Sequence, residues 1–133
     1  MSENLNLVRS ICDPWQRGEF GELMWADAEI EFVHGGGLEA GVSRGLRSML
    51  QRWSGAVSGW QNFRVSQGGV SEVDAERVLV RCESDGDAAA NGGGHAPAAR
   101  REALVFSIRG GKVVRLAVYG DRGRALAELG LEA

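Results

Sequence analysis

From Glu102 to Ile108 the apolar side chains Leu104, Phe106 and Ile108 recur at every second position, and Ser107 and Arg109 fall in the other phase. That period predicts a strand with one buried face. Gly110-Gly111 follows, a pair that tolerates the positive φ of tight two-residue hairpin turns, and Val113 to Tyr119 then predicts a returning strand. In it Val113, Arg115, Ala117 and Tyr119 share one phase and Leu116 and Val118 the other, so Tyr119 is expected to face outward. Asp121 is placed to cap a short helix carrying Leu126 and Leu129 on one side, with Gly130 as its stop.

Upstream, Leu5, Val8, Cys12 and Trp15 recur at spacings of three and four. They predict an amphipathic helix over residues 3–17, kinked or ended by Pro14 near Asp13, with Gly18 closing the segment. Phe20, Leu23 and Met24 suggest a second short helix. Glu29 and Glu31 alternate with Ile30 and Phe32, a strand with one wet and one dry face; His34 extends the dry phase into a Gly35-Gly36-Gly37 loop. From Ser43, a candidate N-cap, Leu46, Met49, Leu50, Trp53 and Val57 follow helical spacing. Trp60 to Val73 and Arg77 to Glu83 predict two strands joined by a turn at Asp74-Ala75-Glu76, the first bent by a bulge at Gly68-Gly69. Residues 84–99, rich in glycine and alanine, predict a loop.

Composition narrows the function classes. The chain of 133 residues reads as one domain, 1–133, long enough to bury roughly two-thirds of its unfolded surface without staples. Its 15 basic and 18 acidic residues are scattered, giving a net charge of −3 and no basic stripe, so neither nucleic acid nor an anionic membrane is the expected partner. Cys12 and Cys82 lack metal-ligand spacing and read as buried reduced thiols. The first residues carry charge and no apolar core segment, so a cytoplasmic location is expected.

The order of elements resembles the nuclear transport factor 2-like superfamily, and in detail its SnoaL-like members. The resemblance is carried by RGEFGELMWADAEIEF (Arg17 to Phe32), by Trp60 opening WQNFRV, by the IRGGKVVRL hairpin and by the closing YGDRGRALAELGL. It implies an α+β, cone-shaped fold: a curved antiparallel sheet with helices over its concave face, an apolar pocket between them, and frequently a homodimer through the outer sheet face. The superfamily holds ketosteroid isomerases, limonene-epoxide hydrolases, polyketide cyclases, dehydratases and binding proteins, so activity has to be argued from pocket residues.

Against the isomerase pattern that the resemblance implies, Phe32 stands where the carboxylate base would be and Ile11 near the oxyanion tyrosine, while Glu102 matches the protonated acid. Nor do Asp85, Asp87 and Asp121 make the acid set of the hydrolases. Read from its own strand, Glu102 points inward with Leu104 and Phe106, where desolvation raises a carboxyl pKa toward neutrality; an ion pair with the adjoining Arg100 or Arg101 is the competing reading. His34 could act as a base or orient a polar ligand group, or simply enter the loop; His95, in the glycine-rich segment, is assigned no role. The candidate catalytic residues are therefore Glu102 and His34. The candidate ligand-binding wall is Trp15, Trp25, Phe32, Trp53, Trp60, Leu104, Phe106, Leu116 and Val118. No metal or cofactor is implied. The expected partner is a small hydrophobic molecule, met either by acid-base isomerase, cyclase or lyase chemistry or by a binding domain without chemistry; a dimeric interaction domain is the third reading.

Overall fold

Helical spacing and alternation resolve into three helices and six strands among the residues that the computed structural model describes, 3–19, 25–35, 41–58, 61–85, 99–119 and 122–130. In chain order they are α1 (Glu3–Gln16), β1 (Ala26–Gly35), β2 (Gly41–Arg44), α2 (Leu46–Ser58), β3 (Gln61–Glu72), β4 (Arg77–Asp85), β5 (Ala99–Arg109), β6 (Lys112–Tyr119) and α3 (Arg122–Glu128). The strands form one curved, unclosed sheet in the order β2-β1-β6-β5-β4-β3. The antiparallel expectation fails at one seam, where β1 runs parallel to β6. Parallel neighbours need a long connection, and here it passes through β2, α2 and the β3–β5 meander.

The sheet separates two apolar layers. On its inner face Val8, Cys12 and Trp15 of α1 and Met49 and Trp53 of α2 join Phe32, Leu104 and Phe106 in one buried cluster. The third helix lies on the other side: Ala125 and Leu126 of α3 pack with Leu79, Val105 and Ala117. Helices over a single face therefore describes α1 and α2 but not α3. Of the residues expected to lie open on the outer face, Ala117 is fully buried and Tyr119 packs against the same α3 cluster, which leaves Arg115 on the uncovered half.

Local rules account for most of the boundaries. Gly110 and Gly111 take φ of 60° and 77°, and Arg109 pairs with Lys112 across them, the geometry of a two-residue primed turn. Asp74 Oδ1 accepts hydrogen bonds from the amides of Glu76 (2.9 Å) and Arg77 (2.8 Å), fixing the β3–β4 turn, and these amide bonds, with the Arg77 guanidinium, hold its carboxyl below the usual range. Pro14 does not end α1, which runs on to Gln16. The amide it lacks would have served the carbonyl of the exposed Ser10, which water can serve instead. The helix stops as the Gly18 signal requires: Gly18 has φ 79°, its N–H reaches the Trp15 carbonyl at 3.0 Å, and Glu19 N–H reaches that of Pro14 at 2.9 Å.

Other expectations need correction. Ser43 is not the cap of α2 but lies in β2, opposite Phe32; Met49 N–H closes the first helical bond on Gly45, whose φ of 91° makes the turn out of β2. Leu50 fits the helical spacing yet is 52% exposed, while Met49 and Trp53 are buried in the core and Leu46 packs against it. Val113 shares the phase of Arg115 in sequence but is buried on the inner face with Leu116, since one extra residue, Val114, intervenes where the register shifts between Ser107–Arg115 and Ile108–Val113. The suggested helix at Phe20–Met24, and most of the 84–99 loop, lie outside the described residues. No described helix is long and apolar enough to cross a membrane.

The Gly68-Gly69 bulge is present: Val65 pairs with Cys82 and Val70 with Val80, so three extra residues crowd into β3. A Cβ on Gly69 would stand 2.5 Å from the Arg81 carbonyl oxygen and 2.7 Å from that of Ser66, both backbone atoms that cannot swing away. Gly69→Ala is expected to lower the unfolding free energy by about 2 kcal/mol in urea titrations. Gly68→Asn, at φ 65° with open space around it, should change it by less than about 0.5 kcal/mol; equal losses at both positions would show that the close approach is not the constraint.

Candidate functional site

Alternation along β5 places Glu102, Leu104 and Phe106 on the inner face, and Glu102 is only 5% exposed. It pairs across the ladder with Cys82, and the hydroxyl of Ser84, two residues further along β4, donates to its Oε1. From the start of α3, Arg122 reaches the same place through the backbone. Its Nε donates to the Glu102 carbonyl (3.3 Å), and its Nη2 to the Cys82 carbonyl (2.8 Å) and to Ser66 Oγ (3.0 Å). One guanidinium thus ties β3, β4, β5 and α3 together at the residue that carries the carboxyl.

The aromatic candidates converge on one ring. Trp15 lies 5.2 Å from Trp53, 5.9 Å from Trp25 and Phe63, and 6.2 Å from Phe106, centroid to centroid. Phe32 joins through Trp53 at 5.9 Å. Leu104 pairs with Val118, and Leu116 pairs with both Phe106 and Phe32, so the apolar residues of the predicted wall form adjacent rows on the inner face. His34 occupies β1 opposite Val118, toward the same end of the sheet as Glu102; its side chain lies outside the described residues, as do Trp60, Asp87, His95 and Asp121. The described surface depressions are elsewhere. One of about 570 Å³ lies on the outer face and another of about 250 Å³ between α1 and the β3 bulge. Among the described residues no cluster of His, Cys, Asp or Glu could hold a metal ion.

Sequence reasoning missed three polar groups at this face. Ser84 continues the inward phase of Val78, Val80 and Cys82, a signal hidden because the strand was read as ending at Glu83. Arg122 differs in no local way from the arginine two residues later. Ser43, 8% exposed beside Phe32, keeps a buried Oγ with no hydrogen-bond partner among the described residues; a cap reading of its position conceals the short strand.

The two thiols are electrostatically quiet. Burial, reinforced by Asp13, pushes the Cys12 thiol up to about 12. Burial first, then the nearby Glu102, pushes Cys82 up as well.

This arrangement, a curved sheet with two helices over one face, is the nuclear transport factor 2-like fold. Solved structures share it at low identity. A nuclear transport factor 2-like protein of unknown function from Burkholderia pseudomallei matches at TM-score 0.68 and 17% identity, over 96% of this chain and 97% of that one. A ketosteroid isomerase-like protein from Catenulispora acidiphila, in complex with trimethylamine, matches at 0.62 and 16%, over 99% and 96%. A protein from Mesorhizobium loti assigned as a SnoaL-like polyketide cyclase matches at 0.59 and 17%, over 86% and 96%. No protein-family model and no curated protein matches the sequence. At these identities the likeness establishes the fold.

The thiols set a pH dependence. Both have folded pKa values raised above the 9.0 of a free thiol, so above pH 9 the unfolded chain binds fewer protons than the fold. The stability they contribute is complete below about pH 8.5 and is lost as pH rises past 9, by at most about 1.4 kcal/mol per thiol per pH unit. Urea unfolding at pH 8 and pH 10 should show that fall, and Cys12→Ala/Cys82→Ala should show a smaller one. An equally steep fall in the double variant would assign it to other groups.

Proposed function

We propose that this protein binds a small apolar or aromatic molecule bearing a carbonyl or hydroxyl group at the end of the inner face where Glu102 and Ser84 lie, and that Glu102 gives or takes a proton there. The observation that carries this reading is the buried carboxyl itself. It sits on an apolar face beside Cys82 and Leu104, bonded by the Ser84 hydroxyl, rather than in solvent at its strand end. A carboxyl in such surroundings can bond a ligand oxygen without competition from water, and its protonated form can donate to a carbonyl. His34, toward the same end on β1, is the proposed second polar group, and Trp15, Trp25, Phe32, Trp53, Trp60, Leu104, Phe106, Leu116 and Val118 the proposed wall. The trimethylamine complex of the Catenulispora acidiphila protein supports the reading that this fold accommodates small molecules. A binding protein without chemistry is the rival, favoured by the close aromatic packing around Trp15, which occupies much of the inner face. Self-association is proposed through the half of the outer face that α3 leaves uncovered.

Thermal melts with 2-naphthol and 4-hydroxyacetophenone, flat molecules with one oxygen function or two, test the site. A compound at a hundredfold excess over its Kd stabilises the fold by about 2.7 kcal/mol, several degrees for a chain of this size. Glu102→Gln keeps the shape but cannot exchange a proton. An enzyme loses most turnover with the shift retained, and a binding domain shows the shift with no turnover in either form. No shift with either probe, together with a shift-free Glu102→Gln, would overturn the site.

A further inference from the structure

The outer face, proposed above only as a surface for self-association, carries a second polar arrangement. In register across four adjacent strands stand Glu31 on β1, Arg115 on β6, Ser107 on β5 and Arg77 on β4. Arg44 of β2 extends the row beyond Glu31. The two arginines that flank Ser107 are each held at Nε by a carboxylate. Arg115 donates to Glu31 Oε1 at 3.4 Å and Arg77 to Asp74 Oδ2 at 2.8 Å. No other side-chain hydrogen bond of these two arginines, and none of Ser107, occurs among the described residues. These three residues line a depression of about 570 Å³ together with Val114, Ala75, Arg109 and the carboxylates Glu31, Asp74 and Glu76, of which Glu76 pairs with Arg109 at 3.5 Å.

We propose that this depression binds a small oxyanion, a carboxylate or a phosphate group, seated on Ser107 between Arg77 and Arg115. Cross-strand neighbours stand about 5 Å apart at Cβ, so one anionic group can accept from both guanidinium groups and from the hydroxyl between them. An arginine whose Nε–H is engaged keeps its Nη N–H groups as further donors, and the pairing orders part of the side chain before binding. The lining holds three arginines, Arg77, Arg109 and Arg115, each paired with one carboxylate of the same lining, Asp74, Glu76 and Glu31, so the depression is charge-balanced while the guanidinium groups keep further N–H donors. Glu29 lies further out, in a separate depression with Arg44 and Gly45. The volume is within the range of small-molecule sites, and Val114 offers the body of an organic anion an apolar contact.

The test is an NMR titration of the full chain, following amide and arginine Nε–H signals, with sodium benzoate in one arm, inorganic phosphate in another and sodium chloride at matched ionic strength as reference. The expected result is saturable movement of the Ser107, Arg77 and Arg115 signals in the benzoate or phosphate arm, and the arm that saturates first tells a carboxylate from a phosphate site. Ser107→Ala should weaken binding about tenfold, the worth of one hydrogen bond to a charged group, and Arg115→Gln should abolish it while the amide spectrum elsewhere stays unchanged. Arg9→Gln, on α1, should bind as the parent does. Movement that follows chloride, or binding unaltered in both Ser107→Ala and Arg115→Gln, would overturn the site. Sedimentation of the same samples adds one more outcome: a dimer that dissociates only when this face is altered and that excludes both anions would assign the row to self-association instead.

Discussion

Trp15 is the side chain on which the inner face depends. It sits one residue from the end of its helix, 3% exposed, with four aromatic neighbours drawn from α2, β3, β5 and the entry to β1. An indole buried this fully contributes about 5 kcal/mol by area, an upper figure because the unfolded chain already hides part of it. More important is that edge-on and tilted rings at 5.2 to 6.2 Å leave little freedom. Moving α1 outward would break contacts to both the sheet and α2 together. The Schellman bonds at Gly18 hold the last turn that presents the ring, which explains why a proline inside that turn is tolerated: the cost at Pro14 is local, whereas the indole is anchored to the whole layer.

Much of this was legible in the chain, and the boundary of what was legible is physical. The β5–β6 hairpin could be read because its determinants are local: alternation, then two glycines that must both take positive φ. The inward aim of Glu102 followed from the same alternation. What failed was whatever depended on pairing rather than period. Four residues of β2 are too few to show alternation, so Ser43 was read by its helix-capping habit instead of by its partner Phe32. Val113 shares the phase of Arg115 yet faces inward, because a bulge is an event between two strands and leaves no mark in either one alone. The parallel seam between β1 and β6 joins segments about eighty positions apart, and nothing in either strand signals its direction relative to the other. For the same reason the partners of Glu102, Ser84 and Arg122, went unseen, lying 18 and 20 positions away.

The bulges also explain how one sheet carries two unlike faces. An extra residue in β6 at Val114, and three in β3 between Val65 and Val70, sharpen local twist, so the sheet curves around α1 and α2. On the other side, the stretch beyond Val114 supplies Ala117 to a small layer under α3, while Arg115, Ser107 and Arg77 stay on the open part. Arg122 joins these regions. Its side chain starts in the helix that covers the outer face and ends on backbone carbonyls of the strand pair whose inner face bears Glu102.

Withdrawing a carboxyl from water is costly, and the Ser84 hydroxyl is one of the groups that answer that cost at Glu102. An apolar residue at position 102 would extend the row of Leu104 and Phe106 without that cost, against Cys82 across the ladder. Buried polar groups that a fold does not need for its own packing are commonly retained for what they do to another molecule, and their supports tend to be specific. Here the supports are specific. Ser84 is aimed inward at the end of β4 only because that strand runs past Glu83, and Arg122 gives three donors to the ladder around the Cys82–Glu102 pair. The burial of Glu102 on an apolar face, with supports drawn from two other elements, is the physical ground on which the proposal of binding or chemistry there rests.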